Sequence, residues 1–318
     1  MVEKKLPRAI LLMGPTASGK TALGIELAKV LNGEIISVDS ALVYRGMDIG
    51  TAKPSLDERQ GVVHYLIDIL DPSEVFSAGQ FRAQALALID DIAARGKVPI
   101  LVGGTMLYFH VLLNGMAVLP DADPAIRQQI DAQAAADGWK AVHQRLSEVD
   151  PVSAKRIHPN DTQRTQRALE IYLSSGRSHT DWIKEQAEQV LTFEPVKLII
   201  APSDRAQLHQ KIELRFDQML QNSFLDEVQR LFDRGDLTAS MPAIRAVGYR
   251  QAWSYLNAEY DTATFRDKAI IATRQLAKRQ FTWLRQQQAA LWLETGDDVV
   301  EEKALQYFYA IKRSLGLN

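Results

Sequence analysis

Cysteine is absent from the 318 residues. That excludes disulfides, thiolate zinc sites and iron–sulfur clusters, and it gives residence in an oxidising compartment no support. The cytoplasm is the expected location. Long apolar runs are missing too. Ala9 to Met13 and Val98 to Val102 hold about five residues each, against the roughly 20 that a membrane helix requires. Lys4, Lys5 and Arg8 precede the first run as they would in a secretory signal, but the run stops at Gly14 without a cleavage-like pattern, so a first strand is expected instead. Positive charge is not in excess: 37 Lys and Arg face 39 Asp and Glu, for a net charge of −2. Any contact with nucleic acid must therefore come from a local basic face. The six histidines show no ligand spacing, and no metal site built from protein groups alone is expected.

What is present suits a folded enzyme, with 46% hydrophobic and 24% charged residues, enough to bury a full core. The first hundred or so residues alternate strand and helix signals. Ala9 to Met13, Glu34 to Val38, His64 to Leu70 and Val98 to Val102 read as strands. Thr21 to Leu31 and a segment capped by Ser77 and ended by Gly96 read as helices. Short apolar strands separated by helices predict an α/β fold: a doubly wound parallel sheet of the P-loop type, with ligand loops at the carboxyl ends of its strands. From Asp121 to Glu194 the strand signal vanishes, and helical stretches break at Pro124, Gly138, Pro151, Pro159 and Gly176. This predicts a helical insertion over 121–194 within a core of 1–120 and 195–318. Lys197 to Ala201 restores a strand, and the remainder reads as mostly helix, including Asp204 to Asn222 and Thr262 to Gln287.

The strongest local signal is Gly14, Pro15, Thr16, Ala17, Ser18, Gly19, Lys20 and Thr21, which fits G-x-x-x-x-G-K-[ST] between an apolar strand and a helix. Glycines let successive backbone N–H groups face one anion, and the helix N-terminus adds partial positive charge. Lys20 supplies a point charge for phosphate oxygens, and the Thr21 hydroxyl is placed to bind Mg²⁺, the cofactor expected between diphosphate oxygens. The loop indicates a diphosphate and does not by itself indicate a nucleoside triphosphate. The metal-holding Asp at a strand end, usual in ATPases and GTPases, is replaced after Val98 to Val102 by Gly103, Gly104 and Thr105.

Other residues stay open on their own evidence. Asp39, ending the second strand, reads as an indirect metal partner, a catalytic base or a helix cap. Thr105 reads as a contact near substrate or as part of a turn. Arg245 reads as a phosphate clamp or a surface ion pair. Arg156, His158, Asn160, Gln163, Arg164 and Arg167 gather around a helix start, with Arg164 and Arg167 three apart and so on one face. Arg274, Lys278, Arg279 and Arg285, interleaved with Phe281 and Trp283, form a second basic stretch that equally suits a solvated helix face.

A wider set of motifs narrows these choices. Val38 to Tyr44, Met47 to Pro54, Leu101 to Tyr108, His158 to Asp161, Gln163 to Glu170, Arg245 to Gln251 and Thr273 to Arg285 agree in order and spacing with the bacterial tRNA dimethylallyltransferase family, which the chain resembles over nearly its whole length. The resemblance implies transfer of a dimethylallyl group from dimethylallyl diphosphate to the exocyclic amine of the adenosine 3′ of a tRNA anticodon, with the base flipped out of its stack. It implies catalytic roles for Asp39, Thr105, Lys20 and Arg245, with Asp39 contacting the amine. It also implies tRNA contacts from Asp39, Ser40, Ala41, Leu42, Thr105, Arg127, Gln163, Arg164, Thr165, Gln166, Arg167, Arg245, Gly248, Tyr249, Arg274, Lys278, Arg279 and Arg285. The partners expected are a tRNA anticodon stem-loop and the prenyl donor, with no membrane, and a monomer is expected. Two rivals remain: a P-loop kinase acting on a small acceptor, and a noncatalytic RNA-binding protein that uses the loop as an anion grip.

Overall fold

A computed structural model describes residues 6–117, 119–185 and 190–314. Lys4 and Lys5 lie outside the described residues. The chain forms two compact units, one of Met1–Leu113 with Leu191–Asn318, the other of Asn114–Val190.

The first unit begins with β1 (Arg8–Met13), α1 (Lys20–Val30), β2 (Gly33–Val38), β3 (His64–Tyr65), α2 (Ala78–Ala94), β4 (Val98–Gly103) and α3 (Met106–Asn114). The second unit holds α4 (Pro124–Asp137), α5 (Trp139–Val149), α6 (Pro151–Arg156), α7 (Thr162–Ser175) and α8 (His179–Lys184). The chain returns with β5 (Glu194–Ala201), α9 (Arg205–Gln221), α10 (Phe224–Phe232), α11 (Tyr249–Leu256), α12 (Thr262–Leu284), β6 (Ala290–Glu294) and α13 (Val300–Ser314).

Among the described residues six strands pair in parallel, in the order β3-β2-β4-β1-β5-β6. The pleat explains why β1 reads as an unbroken apolar run: Ala9, Leu11 and Met13 enter one core, while Ile10 and Leu12 enter another on the opposite face. A strand covered on both faces has no polar alternation to show. Met13 and Val38 both register with Gly103, so the carboxyl ends of β1, β2 and β4 finish side by side. Their following loops begin at Gly14, Asp39 and Gly104, at one edge of the sheet.

Two sequence expectations change. The strand expected from His64 to Leu70 stops at Tyr65, because Leu66 (φ 61°) and Asp68 (φ 57°) adopt left-handed backbone that turns the chain; Leu70 keeps only a single bridge to Tyr44. β6 stands where mostly helix was expected. Five residues after a long helix carry too little periodicity to separate strand from helix, and pairing with β5 decides.

In the helical unit four of the five breakers have a local job. Pro124 and Pro151 open α4 and α6 at their first turns, where a missing N–H costs nothing, and Asp123 and Asp150 cap them. Gly138 (φ 81°) separates α4 from α5, and Gly176 (φ 70°) closes α7. Among the described residues, no helix is long and apolar enough to cross a membrane.

Candidate active site

The loop after β1 curls because its backbone permits it. Gly19 (φ 83°) and Ala17 (φ 63°) adopt left-handed conformations, and a Cβ at Gly14 would stand 2.5 Å from the Ile200 carbonyl oxygen and 2.6 Å from Ser18 Oγ. Lys20 folds back so that its ammonium donates to the Pro15 carbonyl at 3.2 Å. Ser18 Oγ is buried with no hydrogen-bond partner, a polar atom held in reserve inside the loop. Thr295, just beyond β6, braces the loop from outside by donating to the Ser18 carbonyl at 3.0 Å.

A cavity of about 490 Å³ opens on this loop, lined by Ala17 to Ala22, Ile25 and Glu26, by Ala52, Lys53, Pro54, Glu58 and Gln60, and by Arg215 of α9. Arg215 escaped the sequence reading, yet a signal existed. It lies three residues after Ile212 and seven after Leu208, both buried, so a helical projection places a guanidinium on the apolar stripe of α9. A cation on a buried stripe calls for an anion.

The charges interact. Loss of hydration, then the neighbouring Arg215, lower the Lys20 ammonium to about 8, while Asp39 pulls it upward. Burial also lowers Arg215, again opposed by Asp39. Among these three interacting groups two cations face one carboxylate, a surplus that an incoming diphosphate would satisfy.

Asp39 Oδ1 accepts from the N–H groups of Ala41 at 2.8 Å and Leu42 at 3.3 Å. Asp39 thus caps a turn and not a helix, and that turn aims the carboxylate. Thr105 ties two strand ends together: its N–H donates to the Val38 carbonyl at 3.1 Å and its Oγ1 accepts from Ser40 N–H at 3.1 Å.

A second loop, Asp48 to Pro54, forms the far wall. The buried Glu227 of α10 accepts from the N–H groups of Asp48 (2.8 Å), Ile49 (2.8 Å) and Gly50 (3.2 Å), and from the Tyr249 hydroxyl. Gly50 is glycine because a Cβ would meet the Phe224 ring at 2.3 Å and the Tyr249 ring at 2.6 Å. Lys53, its side chain 4% exposed, donates to Asp48 at 2.6 Å, to the Tyr44 carbonyl at 2.8 Å and to Asp68. Glu227 gave no sequence signal, since a carboxylate that accepts backbone donors from a distant loop leaves no local pattern.

Several expected tRNA contacts are buried or have partners within the protein. Tyr249 is fully enclosed, bonded to Glu227 and raised well above its ordinary pKa by burial and that carboxylate. Gly248 (φ 93°) opens α11 with its N–H on Gln251. Thr165 is fully buried. Arg127 and Arg167 both turn to Glu170, at 2.9 and 2.8 Å, and Arg167 also donates to the Pro120 carbonyl at 2.6 Å. Glu170 is 0% exposed, so its charge demands both guanidiniums. Gln166 donates to Asp131, and Arg274 to Glu213. Exposed are Gln163 and Arg164 on α7, Lys278, Arg279 and Arg285 at α12, and Arg245, which is not part of the cavity wall.

The IPP transferase family model matches residues 42–287. The chain belongs to the IPP transferase family. It is 57% identical to a tRNA dimethylallyltransferase of Methylococcus capsulatus over 96% of this chain and 97% of that protein. The full-length tRNA isopentenylpyrophosphate transferase of Bacillus halodurans superposes with a TM-score of 0.71 at 37% identity, covering 97% of each chain. A eukaryotic dimethylallyltransferase acting on tRNA gives a TM-score of 0.80 at 27% identity, over 98% of this chain and 80% of the other. The transferase at hand thus shares its fold and most of its length with relatives from bacteria and eukaryotes.

Proposed function

We propose that this transferase moves a dimethylallyl group from its diphosphate to the exocyclic amine of adenosine 37 in tRNA, 3′ of the anticodon, giving N6-isopentenyladenosine and diphosphate. The observation that carries this reading is the shared sheet edge, where an anion cradle with two cations adjoins one carboxylate. A bond forms between the amine nitrogen and C1 of the allyl group. The C1–oxygen bond breaks, and its electron pair leaves with the diphosphate. Loop N–H groups, Lys20 and Arg215 stabilise that developing charge. The amine is too weak an acid for a carboxylate to deprotonate beforehand, so Asp39 takes the proton as or after the new bond makes the nitrogen acidic. Phosphoryl transfer plays no part.

The donor set fits a Mg²⁺ ion that keeps most of its ligands from diphosphate and water. Thr21 offers a hydroxyl on the cavity wall, and no group of three acidic or histidine side chains among the described residues could hold an ion alone. When bound, the ion neutralises diphosphate oxygens as they depart. On the core, the basic residues for RNA are Arg245, Lys278, Arg279 and Arg285, with Thr105 and the turn Ser40 to Leu42 beside the base. On the helical unit they are Gln163 and Arg164. The protein works in the cytoplasm as a monomer.

Anticodon stem-loop RNA incubated with labelled dimethylallyl diphosphate and no ATP tests the reading. Label in the RNA is the expected result. Phosphate transfer that requires ATP would establish the kinase instead, and RNA binding unaffected by Asp39→Ala in a protein without turnover would leave only a binding role.

A further inference from the structure

Gln280 lies in the last third of α12, on a helix whose neighbouring Lys278 and Arg279 are exposed, yet Gln280 itself is 7% exposed. A buried primary amide with two donors and two acceptors is costly unless its valences are used. Here both ends are used, and on different loops. Oε1 accepts from the Thr16 N–H at 2.9 Å, inside the phosphate loop. Nε2 donates to the Gly104 carbonyl at 2.8 Å, in the loop just past β4. Room for the amide is made by the absence of a side chain: a Cβ at Gly104 would stand 2.4 Å from Gln280 Nε2.

Hydrogen bonds continue on both sides. Gly104 precedes Thr105, whose hydroxyl receives the Ser40 N–H and whose own N–H binds the Val38 carbonyl. A continuous path thus runs from the turn that aims Asp39, through Thr105, Gly104 and Gln280, to Thr16 in the diphosphate cradle. The spent Thr16 N–H is also informative, since this donor faces Gln280 instead of the anion.

We infer that Gln280 is a positioning residue for the transfer: its amide fixes the spacing between the acceptor-side carboxylate turn and the leaving-group cradle. Substitution at carbon needs attacking nitrogen, C1 and departing oxygen in line, and a misplacement of about 1 Å costs on the order of a hundredfold in rate. The inference rests on the site assignment proposed above.

The test uses the full chain with Gln280→Met, which keeps the volume and removes both bonds, and Gln280→Glu, which keeps one acceptor and loses the donor while ionised. For both variants at pH 8 we expect kcat to fall about a hundredfold, while the KM for dimethylallyl diphosphate and the Kd for inorganic pyrophosphate stay within about threefold of the parent. Protonation of the substituted Glu restores an O–H donor toward Gly104, so the kcat of Gln280→Glu relative to the parent climbs as pH falls from about 8 to about 6. Gln280→Met shows no such climb. Parallel loss of kcat and pyrophosphate affinity, or equal pH profiles for the two variants, would mean that Gln280 merely supports the loop and would overturn the inference. Unchanged kcat would overturn it as well. If the parent binds pyrophosphate but transfers no prenyl group, the underlying site assignment fails, an outcome distinct from any change confined to the variants.

Discussion

Arginine is used in opposite ways in the two units. In the helical unit Arg127 and Arg167 converge on Glu170, a carboxylate sealed from water, and their charge is consumed inside the protein. In the sheet unit Arg215 and Lys20 line an open cavity, and the carboxylate that acts on both, Asp39, leaves one positive charge unmatched. A count of basic residues cannot tell these situations apart. The partner decides, so a cation's role follows from which carboxylate, if any, lies within reach.

The sharpest way to break this contrast is to remove one cation from each side. Lys20→Ala should lower kcat/KM for the donor by about 10²–10³-fold, because it strips charge from the departing diphosphate. The tRNA Kd should change by less than about threefold. Initial rates and filter binding measure the two quantities, and equal losses in both would erase the division of labour. Arg167→Ala should instead cost about 2 kcal/mol of stability, since it leaves a buried carboxylate short of a charged donor. In denaturant melts, Glu170→Gln in the same chain should recover part of that loss. A variant with normal stability and weak tRNA binding would return Arg167 to the RNA surface.

Legibility in the sequence followed the range of the interactions. The phosphate loop, β1, β2 and β4, and the breakers of the helical unit were readable because glycine, proline and caps act on backbone within a few residues. Arg164 and Arg167 show where such reading ends. Their spacing of three put them on one face, but Glu170, a further three along, captured one, while the other stays exposed with only a surface pair to Asp161 at 3.3 Å. Arg215 acts on the cavity, Glu227 on the Asp48 to Gly50 loop 177 to 179 positions away and Gln280 on Thr16 264 positions away, and only the fold supplies their partners. Arg215 alone left a trace, as a charge on an apolar stripe.

A smaller effect separates the two regions by pH. Lys20 is lowered to about 8 from 10.5, so its folded form binds fewer protons than the unfolded chain between those values. Its burial therefore costs stability at neutral pH, and that cost fades as pH rises from about 8 toward 10.5. Anion binding reverses the shift. Pyrophosphate should take up a fraction of a proton on binding just above pH 8, and its affinity should fall by at most about tenfold per unit beyond that. Calorimetry in two buffers of unlike ionisation heat measures the uptake, and identical heats would show that Lys20 keeps its proton without a ligand. Glu170 runs the other way. Desolvation opposes its charge, but the Arg167 and Arg127 hydrogen bonds outweigh it and hold the carboxyl below its ordinary value. Its contribution is present at neutral pH and is lost as acid protonates it.

The smallest effect concerns cations that neither a carboxylate nor the cavity claims. Lys278 and Arg279 are exposed on α12 immediately before Gln280, whereas Arg274 one turn earlier is held by Glu213. If the exposed pair meets RNA phosphates, each contact releases about one counterion, and the slope of log K against log salt should become shallower by about 0.7–0.9 per residue removed. Lys278→Ala and Arg279→Ala should each produce that change with kcat at saturating tRNA untouched. Arg274→Ala should leave the slope as it was and lower stability, because its guanidinium already has a partner. A slope that responds to Arg274→Ala and ignores Lys278→Ala would show that RNA draws Arg274 away from Glu213, and the partner rule would then fail where it is most exposed to competition from an RNA phosphate.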